Sequence, residues 1–236
     1  MNPELDFEKR FRLVREVIET IVLTVLMFLV IRFAVQNFNV EGTSMEPRLH
    51  NGELILVDKW TYLFHPPQRG DVIVFVAPPI PSEDFVKRII GIPGDKITIN
   101  NTVVTVDGVT LKETYVDPID QGNPYYTGSV YKTTVPANSY FVLGDDRVRS
   151  DDSRAWGVVP RQNIIGRAAL VYWPLGQDNN GFLPNYSSVF ASIHQPGTTS
   201  NTGTEDTSAN MIVILLAPLG LSLFARKTGK RRRRAR

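Results

Sequence analysis

The apolar positions of this chain form two long runs and, between them, many short runs separated by polar turns. The first long run covers residues 17–36, which are mostly apolar, with Glu19 and Arg32 near its two ends. A helix of about 20 residues spans roughly 30 Å, the thickness of the hydrocarbon core of a bilayer. The pattern therefore predicts a transmembrane helix over residues 17–36.

A cleaved signal peptide is the alternative interpretation of this run, because charged residues precede it. Phe33, Val35 and Asn37 occupy the positions where a cleavage site would need small residues, so we favour a retained membrane anchor. Residues 1–16 carry four basic side chains. Positive residues concentrate on the cytoplasmic side of a membrane, which places the N-terminus in the cytoplasm and the chain after the anchor outside.

Between the two long runs, from residue 38 to 173, short runs rich in Val, Ile, Tyr and Phe alternate with Gly, Pro, Asn and Asp, as in β-strands and turns. Asp107-Gly108 predicts a two-residue hairpin, and Asn100-Asn101 predicts a second tight turn. Helical periodicity of useful length is missing here, so the predicted fold class is mostly β with antiparallel strands. The predicted strands cover residues 53–57, 71–77, 85–91, 96–100, 103–106, 109–111, 131–135, 140–144 and 165–173.

The second long apolar run covers residues 211–225. It follows a segment rich in Ser, Thr, Gly and Asn, residues 195–209, that predicts a flexible linker. As a 15-residue helix the run would span only about 22 Å, and Pro218 and Gly220 weaken it. Basic residues follow it, as expected for a cytoplasmic tail, so a short second transmembrane helix is predicted. An apolar tail lying on the surface is the alternative.

These patterns divide the chain into six predicted segments. They are a cytoplasmic N-terminus (1–16), a transmembrane anchor (17–36), an extracytoplasmic β-rich domain (37–194), a linker (195–209), a short transmembrane helix (210–225) and a basic cytoplasmic tail (226–236).

Charge and composition exclude several classes of function. The net charge is +2, but residues 226–236 hold eight Lys or Arg and no acid, whereas residues 20–225 carry 14 basic and 19 acidic residues and so a net charge of −5. Nucleic-acid binding is therefore not predicted. The chain has no cysteine, which excludes disulfides, thiolate metal sites and a cysteine nucleophile.

One serine, Ser44, lies in a turn-forming sequence soon after the first apolar run. Gly42 tolerates unusual backbone angles, and Pro47 fixes its own φ and restricts Glu46. Such a turn would hold one hydroxyl rigidly, although an ordinary turn residue is the alternative. A serine hydroxyl becomes a good nucleophile only when a neighbouring base takes its proton.

A candidate base, Lys87, lies in an apolar run and shares one strand face with Phe85 and Ile89. Burial disfavours an ammonium group, and a neutral amine near pH 7 is a competent general base. A surface lysine on an edge strand is the alternative. His50, which is near Ser44 in sequence, leaves a Ser–His pairing as a second alternative.

Residues 144–154 form a third conspicuous segment, with four Asp, three Arg and two Ser. Such a segment predicts a polar network that supports a site, or else a solvated loop. Its spacing differs from that of a calcium-binding loop, and we predict no metal site.

These segments together resemble bacterial type I signal peptidase. The resemblance rests on Gly-x-Ser-Met-x-Pro at 42–47, Val-Lys-Arg-Ile-Ile-Gly-x-Pro-Gly-Asp at 86–95 and Gly-Asp-x-Arg-x-x-Ser-x-Asp-Ser-Arg at 144–154, with a fourth match at 69–75. The order of the motifs behind an N-terminal anchor makes the combination specific, and it covers about residues 17–174.

The resemblance implies a Ser–Lys dyad in which Ser44 is the nucleophile and Lys87 is the general base. It also implies that Ser150 orients Lys87 by a hydrogen bond, that Asp152 and Arg154 form a supporting ion pair, and that Asp145 supports the same loop. No cofactor is implied. The expected walls of the substrate pocket are Phe38, Val40, Met45, Leu49, Phe85 and Val86.

Three positions depart from the family pattern. Asp146 replaces the usual asparagine, and its charge would raise the pKa of Lys87 unless Arg147 and Arg149 neutralise it, which we expect. Arg48 replaces a threonine, with no predicted effect. Gly42 lacks the hydroxyl that some members supply to the oxyanion hole, which leaves the Ser44 N–H as one donor and the second donor unassigned.

The expected function is removal of signal peptides from exported preproteins by a membrane-bound serine endopeptidase on the extracytoplasmic face of the plasma membrane. Its expected partners are preprotein signal peptides and the lipid bilayer, with the export machinery as a further candidate and no nucleic acid. Trp60, Tyr62 and Phe64 predict either an aromatic patch near the membrane or a core cluster. The alternatives are a self-cleaving Ser–Lys repressor, disfavoured by the anchor, and a catalytically silent, membrane-tethered β scaffold.

Overall fold

One long helix and two antiparallel sheets dominate the part of the chain that this computed structural model describes, residues 3–120, 130–176 and 179–193. The helices are α1 (Pro3–Ala34), α2 (Thr61–Phe64) and α3 (Ser153–Trp156), with 3-10 turns at Arg161–Asn163 and Ser187–Phe190. The strands are β1 (Val35–Asn39), β2 (Leu54–Asp58), β3 (Val72–Val76), β4 (Asp84–Gly91), β5 (Lys96–Asn100), β6 (Val103–Val106), β7 (Val109–Thr110), β8 (Tyr131–Thr134), β9 (Ser139–Leu143), β10 (Val159–Pro160), β11 (Ile164–Trp173) and β12 (Gly181–Phe182).

Helix α1 contains the predicted membrane anchor. Its segment Arg12–Ala34 has a mean hydropathy of 2.3 and is long and apolar enough to cross a bilayer, with none of its most apolar window buried in the protein. The helix begins well before residue 17, because no Gly or Pro interrupts the sequence after Pro3. It ends two residues before the predicted limit, because Val35 already pairs with Asp58 in the sheet.

The larger sheet has the strand order β1-β2-β11-β3-β4-β9-β10, and β12 pairs with β11. The smaller sheet has the order β7-β6-β5-β8. Every pairing is antiparallel, so the predicted fold class, a mostly antiparallel β domain behind an N-terminal apolar helix, is confirmed. The small sheet is inserted between β4 and β9, which are neighbours in the large one.

All nine predicted strands are confirmed to within one residue at each end. Strands β1, β10 and β12 were not predicted. The last two have only two residues each, too few to show a period, and β1 contains three polar residues in its five.

The hairpin at Asp107-Gly108 is also confirmed, since both residues have positive φ, 50° and 84°, as a primed two-residue turn requires. The other predicted turn lies one residue later than expected. Asn100 pairs with Val103, so Asn101 (φ 55°) and Thr102 form the turn.

Three buried clusters fill the space around the sheets. One joins the small sheet to β4, β9 and the segment 186–193, and a second lies beneath β1, β2, β3 and β11. The third contains Tyr62, Ile73, Phe75, Ile89, Tyr140, Val142, Val159 and Ile164. The predicted linker (195–209), second transmembrane helix (210–225) and basic tail (226–236) lie outside the described residues.

Candidate active site

Ser44 lies on a tight turn between β1 and β2, which we call the nucleophile turn (residues 43–49). The turn is closed by hydrogen bonds from Glu46 N to Thr43 O (3.0 Å) and from Leu49 N to Met45 O (2.9 Å). Met45 and Leu49 anchor it, because their side chains are 1% and 0% exposed in the core. These contacts hold the backbone of the turn that carries Ser44.

Gly42 precedes the turn with φ +88°, a conformation that favours glycine. Its N–H donates to Asn51 Oδ1 at 2.8 Å, and Val40 N donates to Glu53 O at 2.8 Å. These bonds connect the two ends of the loop that carries Ser44.

Lys87 approaches Ser44 from strand β4, and its Nζ lies 2.6 Å from Ser44 Oγ. The lysine is only 5% exposed. Burial lowers the pKa of Lys87 from its ordinary value of 10.5 to about 8, although the carboxylates of Asp152, Asp151 and Asp145 act to raise it. At pH 7 roughly one lysine in ten is then a neutral amine, within hydrogen-bonding distance of the serine hydroxyl.

The loop after β9, residues 144–154, is held by buried ion pairs. Arg88, the neighbour of Lys87, donates from Nε and Nη2 to the two carboxylate oxygens of Asp145 at 2.8 and 2.6 Å. Arg154 donates in the same way to Asp152, at 2.7 Å for both bonds. Bidentate arginine–carboxylate pairs fix orientation as well as distance, so the loop has little freedom beside the dyad.

Asp152 also organises the backbone around it. It accepts hydrogen bonds from Gly144 N (3.1 Å) and from Arg154 N (3.2 Å), the second of these as the N-cap of α3. The expected ion pair between Asp152 and Arg154 is therefore present, and the same carboxylate joins the two ends of the loop.

Ser150 differs from its expected arrangement. Its Oγ is buried and has no hydrogen-bond partner within the described residues, so the expected bond to Lys87 is not formed. The hydroxyl packs instead against Gly144, whose added Cβ would lie 2.2 Å from Ser150 Oγ.

Gly144 is a site residue whose role sequence reasoning missed. A Cβ at this position would also lie 2.4 Å from Ser44 O, which is closer than real Cβ contacts. The absence of a side chain lets the loop approach the nucleophile turn, and Asp146 N then donates to Ser44 O at 3.1 Å. The glycine before the acidic pair was the available signal, but the backbone contact that requires it is a tertiary one.

The charge of Asp146 is neutralised by one of the two expected arginines. Arg149 donates from Nε to Asp146 at 2.7 Å. Arg147 instead turns to Glu113, to which it donates two hydrogen bonds of 2.5 and 2.6 Å. Glu113 was missed because it lies in a polar stretch that reads as an ordinary loop.

Arg48, the departure from the family pattern for which no effect was predicted, contacts the segment that carries Glu113. Its Nη2 donates to Thr114 O at 2.8 Å and its Nε to Tyr115 O at 3.3 Å. Arg48 thus joins the nucleophile turn to the segment that carries Glu113.

A cleft of about 420 Å³ lies beside the dyad. Four of the six expected wall residues line it, namely Phe38, Val40, Phe85 and Val86. Met45 and Leu49 belong instead to the buried cluster behind the cleft, because they anchor the nucleophile turn. Ile55 and Val74 line the cleft from the same cluster and were missed, since they read as ordinary strand residues.

Charged side chains also line the cleft. They are Glu41, Asp84, Lys87, Arg149 and Asp151.

His50, the other candidate base, contacts a carboxylate. His50 contacts Glu46 through Nδ1 at 2.5 Å, while the Ser44 hydroxyl contacts Lys87. Within the described ranges, no group of three His, Asp or Glu side chains could hold a metal ion.

Comparison with known proteins gives consistent matches. A family model described as signal peptidase, peptidase S26, matches residues 14–173. Signal peptidase I of Leptolyngbya laminosa is 41% identical over 170 residues, which cover 69% of this chain and 81% of the relative. Signal peptidase I of Bacillus caldolyticus is 40% identical over 153 residues (61% and 83%), and signal peptidase IB of Staphylococcus aureus strain Mu50 is 33% identical over 181 residues (71% and 93%).

Proposed function

This chain belongs to the signal peptidase family, peptidase S26, and we propose that Ser44 is the nucleophile and Lys87 the general base of its peptidase reaction. The protein is a serine peptidase that cleaves signal peptides from preproteins. The observation that carries the assignment of the dyad is the 2.6 Å separation of Lys87 Nζ and Ser44 Oγ, made by a buried lysine whose pKa is lowered to about 8.

In the acylation step, the neutral amine of Lys87 takes the proton of Ser44 as Oγ attacks the scissile carbonyl carbon. The electron pair of the C=O double bond moves to the carbonyl oxygen and forms a tetrahedral intermediate. When the intermediate collapses, the C–N bond breaks and the leaving amine receives the proton from the Lys87 ammonium. The signal peptide remains as an ester on Ser44.

In the second step, Lys87 takes a proton from water, whose oxygen attacks the ester carbonyl. The C–O bond to Ser44 breaks, and Ser44 Oγ recovers its proton from the lysine. One lysine can therefore serve both steps without a histidine.

The negative oxygen of the tetrahedral intermediate needs a hydrogen-bond donor. The backbone N–H of Ser44 is suited to this role, because it donates to no protein acceptor within the described part of the chain. A preorganised N–H beside the attacked carbonyl stabilises the transition state more than the ground state.

The edge of β4 next to the dyad can bind the substrate as an added strand. The β4–β9 ladder begins at Arg88, so within the described part of the chain residues 84–87 pair with β3 on one side only. An extended peptide can use the open side for backbone hydrogen bonds, which places its carbonyl near Ser44. The walls formed by Phe38, Val40, Phe85 and Val86 then favour small side chains in the cleft.

The decisive test is cleavage of a purified preprotein by the full-length protein and its variants. Ser44→Ala and Lys87→Ala should each abolish product formation, and the double variant should behave like either single one because the two residues act as a unit. Ser188→Ala and Lys96→Ala change an exposed serine and an exposed lysine and should have no effect. Normal turnover by Lys87→Ala would refute the dyad. If Ser44→Ala replaced the wild-type protein in cells without loss of function, the catalytically silent scaffold would be favoured.

We further propose that α1 anchors the protein in the plasma membrane with the β domain on the extracytoplasmic side. A reporter fused at residue 120 should then be extracytoplasmic. If residues 210–225 form the predicted second membrane crossing, a reporter fused after residue 236 should be cytoplasmic. A C-terminus that protease reaches on intact cells would contradict the second membrane crossing.

Two exposed apolar residues, Leu63 and Phe64, support contact of the β domain with lipid. They are 73% and 70% exposed on α2, whereas Tyr62 beside them is buried. Lys59 N donates to Ala34 O at 2.9 Å, so the residues just before α2 contact the end of the anchor helix. The residues of the predicted aromatic patch therefore do not share one environment: Tyr62 lies in the core, whereas Phe64 is available to the membrane interface.

Lipid contact can be tested with a single introduced cysteine, because the chain has none. An environment-sensitive label on Phe64→Cys should be quenched by spin-labelled lipid in reconstituted vesicles. The control is Val103→Cys, which is 41% exposed on the smaller sheet. Equal quenching of the two labels would contradict the contact.

A further inference from the structure

The ring of Tyr186 lies against two arginines, one on the same turn as Ser44 and one next to Lys87 in sequence. We propose that Tyr186 is a positioning residue that couples the nucleophile turn to strand β4 and so keeps Ser44 within hydrogen-bonding distance of Lys87. This role rests on the proposed function of the dyad.

The geometry consists of one ring and two guanidinium groups. The centre of the Tyr186 ring is 5.7 Å from Arg48 Cζ, and Arg48 is four residues beyond Ser44 on the nucleophile turn. The same ring centre is 5.0 Å from Arg88 Cζ, and Arg88 is the residue next to Lys87. A cation within about 6 Å of an aromatic ring centre is attracted to its electron-rich face. Tyr186 thus attracts one residue from each side of the dyad.

Both arginines are fixed by other bonds, so the ring meets two ordered side chains. Arg88 is held by Asp145 and also donates from Nη1 to Gly70 O at 2.8 Å. Arg48 is held by the carbonyls of Thr114 and Tyr115.

A second ring reinforces this arrangement. Tyr115 is fully buried, its ring centre is 5.1 Å from that of Tyr186, and Arg88 Cζ lies 4.3 Å from it. Arg147 of the loop after β9 lies 5.9 Å from the same ring. The two tyrosines therefore join the nucleophile turn, strand β4 and the loop after β9 through aromatic–cation contacts.

Tyr186 comes from a segment that lies beyond residues 14–173, the part that matches the family model. The segment is anchored by Phe190, which is 3% exposed and packs close to Gly70. Val189 N donates to Tyr186 O at 3.0 Å, which fixes the backbone of the tyrosine. Among the described residues that line the cleft, none comes from this segment. Tyr186 can therefore affect the reaction through the position of the dyad and not through contact with substrate.

Position matters here because proton transfer needs the Ser44 and Lys87 side chains within hydrogen-bonding distance. A misplacement of about 1 Å in an active site can lower the rate roughly a hundredfold. Loss of one of several restraints should displace the dyad less, and we expect a loss of about tenfold in kcat.

The test compares Tyr186→Leu with Tyr186→Phe in the full-length protein, with preprotein as substrate. Tyr186→Phe keeps the ring and should retain kcat within about twofold, whereas Tyr186→Leu should lower kcat about tenfold with KM changed less than about twofold. Ser188→Ala, which changes an exposed side chain in the same segment, is the matched control, and it should leave kcat unchanged. Unchanged kcat in Tyr186→Leu, or an equal loss in Ser188→Ala, would overturn the proposal.

A double-mutant cycle separates positioning from a general loss of stability. If Tyr186 acts through Arg48, Arg48→Met should lower kcat by itself, and adding Tyr186→Leu should lower it by clearly less than the product of the two separate losses. Fully multiplicative losses would overturn the coupling. If Tyr186→Leu does not fold, unchanged kcat in Arg48→Met overturns the proposal instead. Ser44→Ala is assayed in parallel, because activity in that variant would refute the dyad itself, whatever the result at Tyr186.

Discussion

At the scale of single residues, the ionisation of Lys87 is set by opposing influences. Burial is the largest influence and disfavours the ammonium form, while Asp152, Asp151 and Asp145 favour it. Burial without these carboxylates would lower the pKa of Lys87 further. The balance leaves the pKa at about 8, so that the amine is available near neutral pH and can still return its proton to a leaving group.

The pH dependence of kcat/KM follows from this balance. Only the neutral amine is a base, so kcat/KM should rise about tenfold per pH unit below pH 8 and level off above it. Lys87→Arg keeps the charge but cannot lose its proton, so it should lower kcat by about 10²- to 10⁴-fold above pH 8 and should not show the rise with pH. Rates measured from pH 6 to 10 check both points. A profile that is flat across this range would contradict a lysine base.

The walls of the cleft should determine which residue can precede the cut. A large side chain would have to displace packed apolar groups at a cost of about 1–3 kcal/mol, which corresponds to roughly 5- to 150-fold in rate. Peptides with Ala, Gly or Ser before the scissile bond should therefore react faster than a peptide with Leu. Phe85→Ala or Val86→Ala should reduce the difference by widening the cleft.

The measurement is kcat/KM for peptides that differ only in this residue. Met45→Leu provides a comparison, since Met45 is in the core behind the cleft and this change nearly conserves its volume. If wild type cleaves Ala and Leu peptides equally well, the assignment of the walls is wrong.

At the scale of elements, the site depends on how closely three backbone segments approach. Strand β9 pairs with β4 through Leu143 and Arg88, so the chain leaves β9 beside the lysine. Gly144 then turns the loop against Ser44, where no Cβ would fit. The sheet register thus brings the loop after β9 to the dyad, and a glycine permits the final contact.

Gly144→Ala tests the close approach of these segments. The added Cβ would lie 2.4 Å from Ser44 O and 2.2 Å from Ser150 Oγ, so the loop or the nucleophile turn has to shift. We expect kcat to fall about a hundredfold, since a shift near 1 Å suffices for this. The control is Gly108→Asn in the hairpin of the small sheet, where asparagine tolerates the positive φ. Wild-type kcat in Gly144→Ala would show that the contact is not required.

At the scale of the whole molecule, burial of Lys87 lowers stability. The ammonium form is less favourable in the folded protein, because the pKa of Lys87 falls from 10.5 to about 8 on folding. The unfolded chain binds more protons between these pH values, so the penalty is full below pH 8 and disappears as the pH rises to 10.5. At neutral pH it amounts to about 3 kcal/mol.

Lys87→Met should therefore unfold at higher denaturant concentration than wild type at pH 7. The difference in the free energy of unfolding should shrink by about 3 kcal/mol as the pH is raised to 10.5. Denaturant unfolding of both proteins across this range is the measurement. Lys96→Met, which changes an exposed lysine, should show no such trend. A stability difference that is independent of pH would contradict a lowered pKa.

The sequence by itself determined the fold class, nine strands to within one residue, the apolar helix and the family. These features depend on local periodicity and on the order of short motifs, and both can be seen in the sequence without knowledge of the folded structure. It also directed attention to Ser44 and Lys87, because a glycine–proline turn and a lysine in an apolar run are local signals.

Only the tertiary structure decided which residues meet at the site. Contacts between segments far apart in sequence, such as Arg48 with Thr114, Glu113 with Arg147 and Gly144 with Ser44, leave no periodic signal in either partner. For the same reason, Met45 and Leu49 read as pocket walls but lie in the core, while Ile55 and Val74 read as core and line the cleft. The side to which an apolar side chain points, on a turn as on a strand, depends on the packing of its neighbours, which the folded chain alone defines.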